Sequence, residues 1–177
     1  MLVGVVSDTH GNRGGMGLLA ERLKDLGVEL VLHLGDDYRD LAVLEQAGLK
    51  VLGVPGMYCR EYADPSVSNR RVVELGGVKI LLTHAPQVHR LDLPGDPDPE
   101  RPAPDVRIVL YGHTHVPALE EKEGALWANP GHLKDQVDKG YPPTFALLRL
   151  SPREVALEVL RLEDGEIILR GVYHPGN

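Results

Sequence analysis

The chain has one cysteine, Cys59, in 177 residues, and a lone cysteine cannot close an internal disulfide. Nothing therefore calls for an oxidising compartment, and a reducing cytoplasm is the expected location. Positive charge is also short. The net charge of -7 argues against nucleic acid as the main partner, because phosphate backbones recruit basic faces. An anionic small substrate stays compatible, since a bound cation reverses the local field. No apolar run approaches the roughly 20 residues of a membrane span. The opening MLVGVVSDTHG has no basic region and reaches Asp8 too early for a signal peptide. Asn and Gln are scarce and Arg outnumbers Lys, which leans towards a thermophile. What remains, 42% apolar and 25% charged residues, is the balance of a globular protein. Its length suits a single domain over residues 1–177 with a genuine core. A homo-oligomer is left open.

Apolar runs and their stops set the organisation. Leu2–Val6 reads as a strand buried on both faces. Residues 15–26 place Met16, Leu19, Leu23 and Leu26 at helical spacing before Gly27. Val28–Leu34 is a second buried strand, Leu41–Ala47 a short helix and Leu49–Val54 a third strand. This β-α-β-α-β order predicts a parallel sheet with crossover helices. Arg71–Leu75 and Val78–Leu82, joined by Gly76-Gly77, read as a hairpin. Residues 92–105, DLPGDPDPERPAPD, form a surface loop. Val106–Tyr111 is again a buried strand. Ala118–Glu121, Ala125–Ala128, Thr144–Leu150, Val155–Leu160 and Glu166–Leu169 then follow as short strands separated by turns. The whole predicts an α/β domain with a mostly β second half, its two sheets packed face to face.

Open α/β sheets bind ligands beyond the carboxyl ends of their strands. Here those ends carry Asp8 and His10 in SDTHGN, Asp36 and Asp37 in HLGDD, His84 in LLTHAP, and His113 and His115 in LYGHTHVP. Carboxylate oxygens with imidazole nitrogens are the ligand set of divalent transition metals. In an extended segment Asp8 and His10, or His113 and His115, are two apart and point to one side. Six ligands exceed one zinc site, so two ions sharing a bridging carboxylate is the natural count. Each residue alone has an ordinary explanation. Asp8, Asp36 and Asp37 could cap helices, and His84 could merely end a strand. His33 reads as a satisfied core or edge histidine, and His89, His132 and His174 as solvated loop residues. These explanations fail only jointly, because all six would have to gather at one sheet edge by accident.

D-x-H at Asp8–His10, G-D at Gly35–Asp36, T-H at Thr83–His84 and G-H-T-H at Gly112–His115 resemble the calcineurin-like metallophosphoesterases. Asn129-Pro130-Gly131 is similar to the N-P-G segment of the small bacterial and archaeal phosphodiesterase branch. The resemblance covers essentially the whole chain. It implies a four-layer α/β/β/α sandwich of two mixed β-sheets flanked by helices. It also implies two divalent ions, commonly manganese, iron, zinc or nickel. One would be held by Asp8, His10, Asp36 and His115, the other by Asp36, His84 and His113. Asp36, as the bridge, and His113 would then serve catalysis. The nucleophile would be a hydroxide between the metals rather than a side chain.

The family pattern has a further motif, G-N-H or G-N-C, at the end of strand three, whose Asn completes the second metal. Here the stretch is Gly56-Met57-Tyr58-Cys59, and a thioether is a soft, weak ligand for manganese or magnesium. The second site then keeps three protein ligands, still a workable coordination for zinc, with weakened affinity. Cys59 is a replacement ligand if the segment stays extended, and otherwise a small buried hydrophobe. Met57, Tyr58 and His132, which stands where the branch has Ser, are the candidate substrate contacts. The loop 92–105 lies where relatives carry a helical segment, so substrate shape should differ. Phosphodiester hydrolysis on a small phosphoester is the leading expectation. A phosphomonoesterase or nucleotide-polyphosphate hydrolase is an alternative on the same centre. A metal-binding scaffold, like the family's subunit in the retromer complex, is the alternative of another class.

Overall fold

The structure is a computed structural model that describes residues 1–175. Its first third runs β1 (Leu2–Val6), α1 (Arg13–Asp25), β2 (Leu30–His33), α2 (Asp40–Gln46) and β3 (Val51–Gly53). A 3₁₀ turn at Arg60–Ala63 leads to β4 (Arg70–Leu75), β5 (Val78–Thr83) and β6 (Ile108–Tyr111). Then come β7 (Ala118–Lys122), β8 (Ala125–Asn129), β9 (Thr144–Leu150), β10 (Val155–Arg161) and β11 (Ile167–Tyr173). A six-stranded sheet has the order β11-β10-β9-β1-β2-β3, and a five-stranded sheet the order β4-β5-β6-β8-β7. Both are mixed. β1 pairs parallel with β2 and antiparallel with β9, while β5 pairs parallel with β6 and antiparallel with β4.

Alternation along each strand builds the layers. Val3, Val5, Ile80, Leu82, Ile108, Leu110 and Leu148 meet between the sheets. Their neighbours Val6, Phe145 and Leu147 point the other way, onto Met16, Leu19 and Leu23 of α1 and Leu44 of α2. Burial on both faces is why these strands read as continuous apolar runs. Each fully buried Leu contributes about 1.5–3 kcal/mol. Helix α1 starts earlier than its apolar spacing predicts, because Asn12 caps it, its Oδ1 accepting from Gly15 N–H at 2.8 Å. It ends at Asp25, so Leu26 leaves the helical phase and stands 46% exposed rather than joining the stripe.

The helical layer covers the six-stranded sheet. On the outer face of the five-stranded sheet Leu81, Val109 and Trp127 cluster with Val106 and Tyr111, and no α-helix is formed in the described chain after α2. Pro94, Pro97, Pro99, Pro102 and Pro104 explain this, since proline lacks the N–H a helix interior needs. Among the described residues no helix is long and apolar enough to cross a membrane.

Candidate metal centre

The loops after β1, β2, β5 and β6 meet at one end of the sandwich. His115 Nε2 lies 3.1 Å from His10 Nε2 and 3.3 Å from Asp8 Oδ1. Donor atoms of Asp8, His10 and His115 all fall within 4.8 Å of one another. Asp36 joins from the β2 loop, its Oδ2 accepting from His10 N–H at 2.9 Å and lying 3.5 Å from His10 Nδ1. His84 and His113 stand together, ring centroids 5.3 Å apart, and the His113 backbone N–H donates to Asp8 Oδ2 at 2.8 Å. His84 Nδ1 is 2.8 Å from Leu34 O. A carbonyl only accepts, so Nδ1 carries a proton, and in the neutral ring the lone pair is on Nε2. The structure thus gathers Asp8, His10 and His115 tightly and sets Asp36, His84 and His113 around them. Among the described residues no second trio of such donors is as close.

The backbone departs from the extended geometry the spacing suggested. Asp8, His10, Asp36, His113 and His115 all have positive φ, at 53°, 47°, 95°, 65° and 62°. Two residues apart therefore does not mean one side. His115 turns to Asp8 and His10, while His113 turns to His84. Each such residue costs of order 1 kcal/mol, and strain of this kind persists where the surroundings enforce it. Close packing does the enforcing. A Cβ on Gly112 would sit 1.9 Å from Ser7 Oγ and 2.7 Å from Asp8 Oδ2. One on Gly56 would fall 2.6 Å from Asp36 O. Glycine is the residue that lets the β6 end press against the Asp8 carboxylate and the β3 end against the Asp36 backbone.

Burial pushes the Asp8 carboxyl up, but His115, His84 and Ser7 Oγ outweigh it, and its pKa falls below the ordinary value. The His115 imidazole is raised, first by Asp8 and then by Asp138. His113 is lowered by burial and by His84. Asp138 was not singled out by the sequence, because it lies in a loop away from any strand end. Its Oδ2 is 2.5 Å from His115 Nδ1 and 2.8 Å from Lys134 Nζ. One carboxylate oxygen and two imidazole nitrogens converging at these distances fit a divalent transition cation. A proton can serve only one pair among them.

The remaining candidates fall elsewhere. Cys59 N–H donates to Gly56 O at 3.0 Å, closing a turn. The extended geometry that would aim Cys59 beside Met57 is absent, and the thiol donates to Asp36 O instead, its pKa raised by burial. Met57 is buried against Tyr62 and Ala85 and lines a cavity of about 180 Å³ with His113 and His89. Tyr58 is 83% exposed and lines a second cavity of about 470 Å³ with His10, Asp36 and Arg60. His132 neither faces solvent nor reaches for a ligand. It is fully buried, its Nε2 3.1 Å from Tyr141 O and its Nδ1 accepting from Lys134 N–H. Both nitrogens are engaged within the fold.

His33 is buried as expected but only half satisfied. Nδ1 accepts from Gly35 N–H, and Nε2 has no hydrogen-bond partner among the described residues. The sequence also gave no sign of Arg70. This buried guanidinium pairs with Asp92 at 2.8 Å and donates to Thr83 Oγ1 and to the carbonyls of Gln87 and Pro97. It ties the proline-rich loop to the second sheet. Of Arg70 and Arg71, nothing in the sequence says which turns inward.

Two mixed sheets lie face to face, with an Asp/His cluster suited to a divalent cation at their strand ends. The chain belongs to the calcineurin-like phosphoesterase superfamily, whose domain profile matches residues 1–153. It is 29% identical to a protein named probable metallophosphoesterase from Methanothermobacter thermautotrophicus, over 91% of this chain and 92% of that one. It is 26% identical to a protein named phosphodiesterase from Methanocaldococcus jannaschii, over 74% of this chain and 83% of that one. Vacuolar protein sorting 29 from Cryptosporidium parvum superposes with a TM-score of 0.72 at 27% identity, over 98% of this chain and 97% of that chain.

Proposed function

We propose that this protein hydrolyses phosphodiesters at a centre of two divalent ions. The ligands in this reading are Asp8, His10, Asp36 and His115 for one ion, and Asp36, His84 and His113 for the other. The convergence of Asp8, His10 and His115 carries the reading. Divalent ions supply positive charge against phosphoryl oxygens and acidify water. The chain supplies the rest. Asp8, held ionised by its surroundings, and Asp36 bring the negative charge such ions need. His84 presents an unprotonated Nε2, and His113, lowered by burial, keeps a lone pair at neutral pH. Hydrolysis puts a water oxygen on phosphorus, breaks one P–O ester bond and releases an alcohol, so no side-chain nucleophile is required. Cavities on both sides of the centre favour a diester over a monoester. The ~470 Å³ cavity under Tyr58 takes one arm, and the ~180 Å³ cavity beside Met57 takes the other.

The test is turnover of a chromogenic phosphodiester by metal-stripped protein after adding manganese, zinc or nickel, with metal content measured in parallel. Metal-dependent turnover that is lost in Asp8→Asn supports the reading. Bound metal without turnover of diester or monoester favours the second reading, a partner-binding scaffold. Two observations favour that alternative: the thioether of Met57 at the centre and the likeness to vacuolar protein sorting 29.

A further inference from the structure

We propose that Asp138 is a positioning residue that fixes the tautomer of His115, so that Nε2 is the nitrogen offered to a metal. The inference rests on the metal-centre reading above, and it concerns a residue outside the ligand set. His115 lies between two carboxylates. Asp138 Oδ2 is 2.5 Å from Nδ1, whereas Asp8 Oδ1 is 3.3 Å from Nε2. Both carboxylates have other donors, Ser7 Oγ and His113 N–H on Asp8 Oδ2 and Lys134 Nζ on Asp138 Oδ2, so the distances decide. A neutral imidazole has one proton to place, and the shorter contact holds it on Nδ1. Nε2 is then the bare nitrogen, and it is the one facing Asp8 Oδ1 and His10 Nε2.

Asp138 is itself held in place. Lys134 Nζ donates to the same Oδ2 at 2.8 Å, which fixes where that oxygen stands. Its backbone N–H and carbonyl pair with those of Tyr141 at 3.0 and 2.9 Å. Tyr141 O lies 3.1 Å from Nε2 of the buried His132, and Leu133 N–H donates to Asp8 O at 3.0 Å. The 131–141 loop therefore reads as a bracket around His115. This gives His132 its role, holding the bracket. Carboxylates that fix metal-binding histidines typically change metal affinity 10–100-fold.

The experiment is long-range ¹H–¹⁵N NMR on the metal-free protein at about pH 9, where imidazole is neutral, with zinc affinity measured by titration. Wild type is expected to show His115 as the Nδ1–H tautomer. Asp138→Ala should shift it towards Nε2–H and weaken zinc binding about 10–100-fold. Asp138→Glu should restore part of both. Asp138→Asn should recover less than Glu, because its amide NH₂ can turn towards Nδ1 and drive the proton to Nε2. An Nε2–H tautomer in wild type, or a folded Asp138→Ala with unchanged tautomer and zinc affinity, overturns the proposal. Should wild type bind no metal, the metal-centre reading fails while the tautomer measurement still decides this one.

Discussion

The two sides of the centre are built differently. On one side Asp8, His10 and His115 are over-determined. Asp8 Oδ2 accepts from Ser7 Oγ and His113 N–H, Asp36 Oδ2 accepts from His10 N–H, and His115 stands between Asp8 and Asp138. On the other side His84 stands against His113, which lines a small cavity with the thioether of Met57 and with residues 85–89, the segment that leads to the proline-rich loop. That loop is anchored at a distance, by Arg70 and Asp92, rather than at the centre. The first side is fixed by a network of hydrogen bonds and ion pairs. The second leaves room, and room is what a variable substrate arm needs. If the two sides hold metal and substrate as proposed, their supports are separate, and each should break without the other.

Removing Arg70 should have the largest effect. Arg70→Met strands the Asp92 carboxylate and frees two loop carbonyls, and breaking a buried pair costs about 3–5 kcal/mol. Urea unfolding measures it, and Arg70→Met/Asp92→Leu should recover part of the loss. Zinc bound at the first side should be unchanged in whatever remains folded. A loss below about 1 kcal/mol would mean that the loop has other anchors. Asp8→Asn attacks the opposite side. It keeps the shape but removes the charge, so turnover should fall about 100–1000-fold, matching the several kcal/mol a bound cation supplies. Bound metal measured by mass spectrometry should fall with it, while Arg70-dependent stability stays.

Beneath the first side, His33 makes stability depend on acid. Burial holds its pKa at about 4, against 6.5 for an ordinary histidine. Between those values the unfolded chain binds the extra proton, so stability falls as pH drops from about 6.5 towards 4. At about 1.4 kcal/mol per unit this reaches about 3 kcal/mol. His33→Asn keeps an acceptor for Gly35 N–H and should flatten that slope in urea unfolding compared at about pH 7 and pH 5. An unchanged slope would assign the acid sensitivity to other groups.

The layers and the strand ends were legible in the sequence because they are written in period-two apolar runs and in polar residues that stop them. Val3 and Val5 against Val6, or Ile80 and Leu82 against Leu81, divide between two faces as the pattern requires. What the sequence does not write is direction within a loop. It suggested that Asp8 with His10, and His113 with His115, share a side; Asp8 and His10 do converge, by way of positive φ rather than an extended segment, whereas His113 and His115 turn to different partners. It left His132 facing substrate or solvent, whereas the Tyr141 carbonyl and Lys134 N–H hold it inside. Asp138 and Arg70 stayed hidden for the same reason, since their partners lie 23 and 22 residues away and a loop carries no period.

Met57→Asn sharpens the comparison with the smallest change. The thioether packs on Tyr62 and Ala85 at the edge of the cavity that His113 lines. Asn replaces it with a harder carbonyl oxygen on the second side alone. If that side is a weakened metal site, the variant should bind more manganese, and turnover with manganese should rise by up to about tenfold, roughly 1.4 kcal/mol. Stability should fall by about 1–3 kcal/mol, the cost of placing an amide among apolar neighbours. Affinity at the first side should not change, because none of the hydrogen bonds to Asp8, His10 or His115 involves residue 57. Unchanged manganese stoichiometry in a folded variant would make Met57 a wall of the substrate cavity and nothing more. The second side would then owe its looseness to substrate shape rather than to a missing ligand.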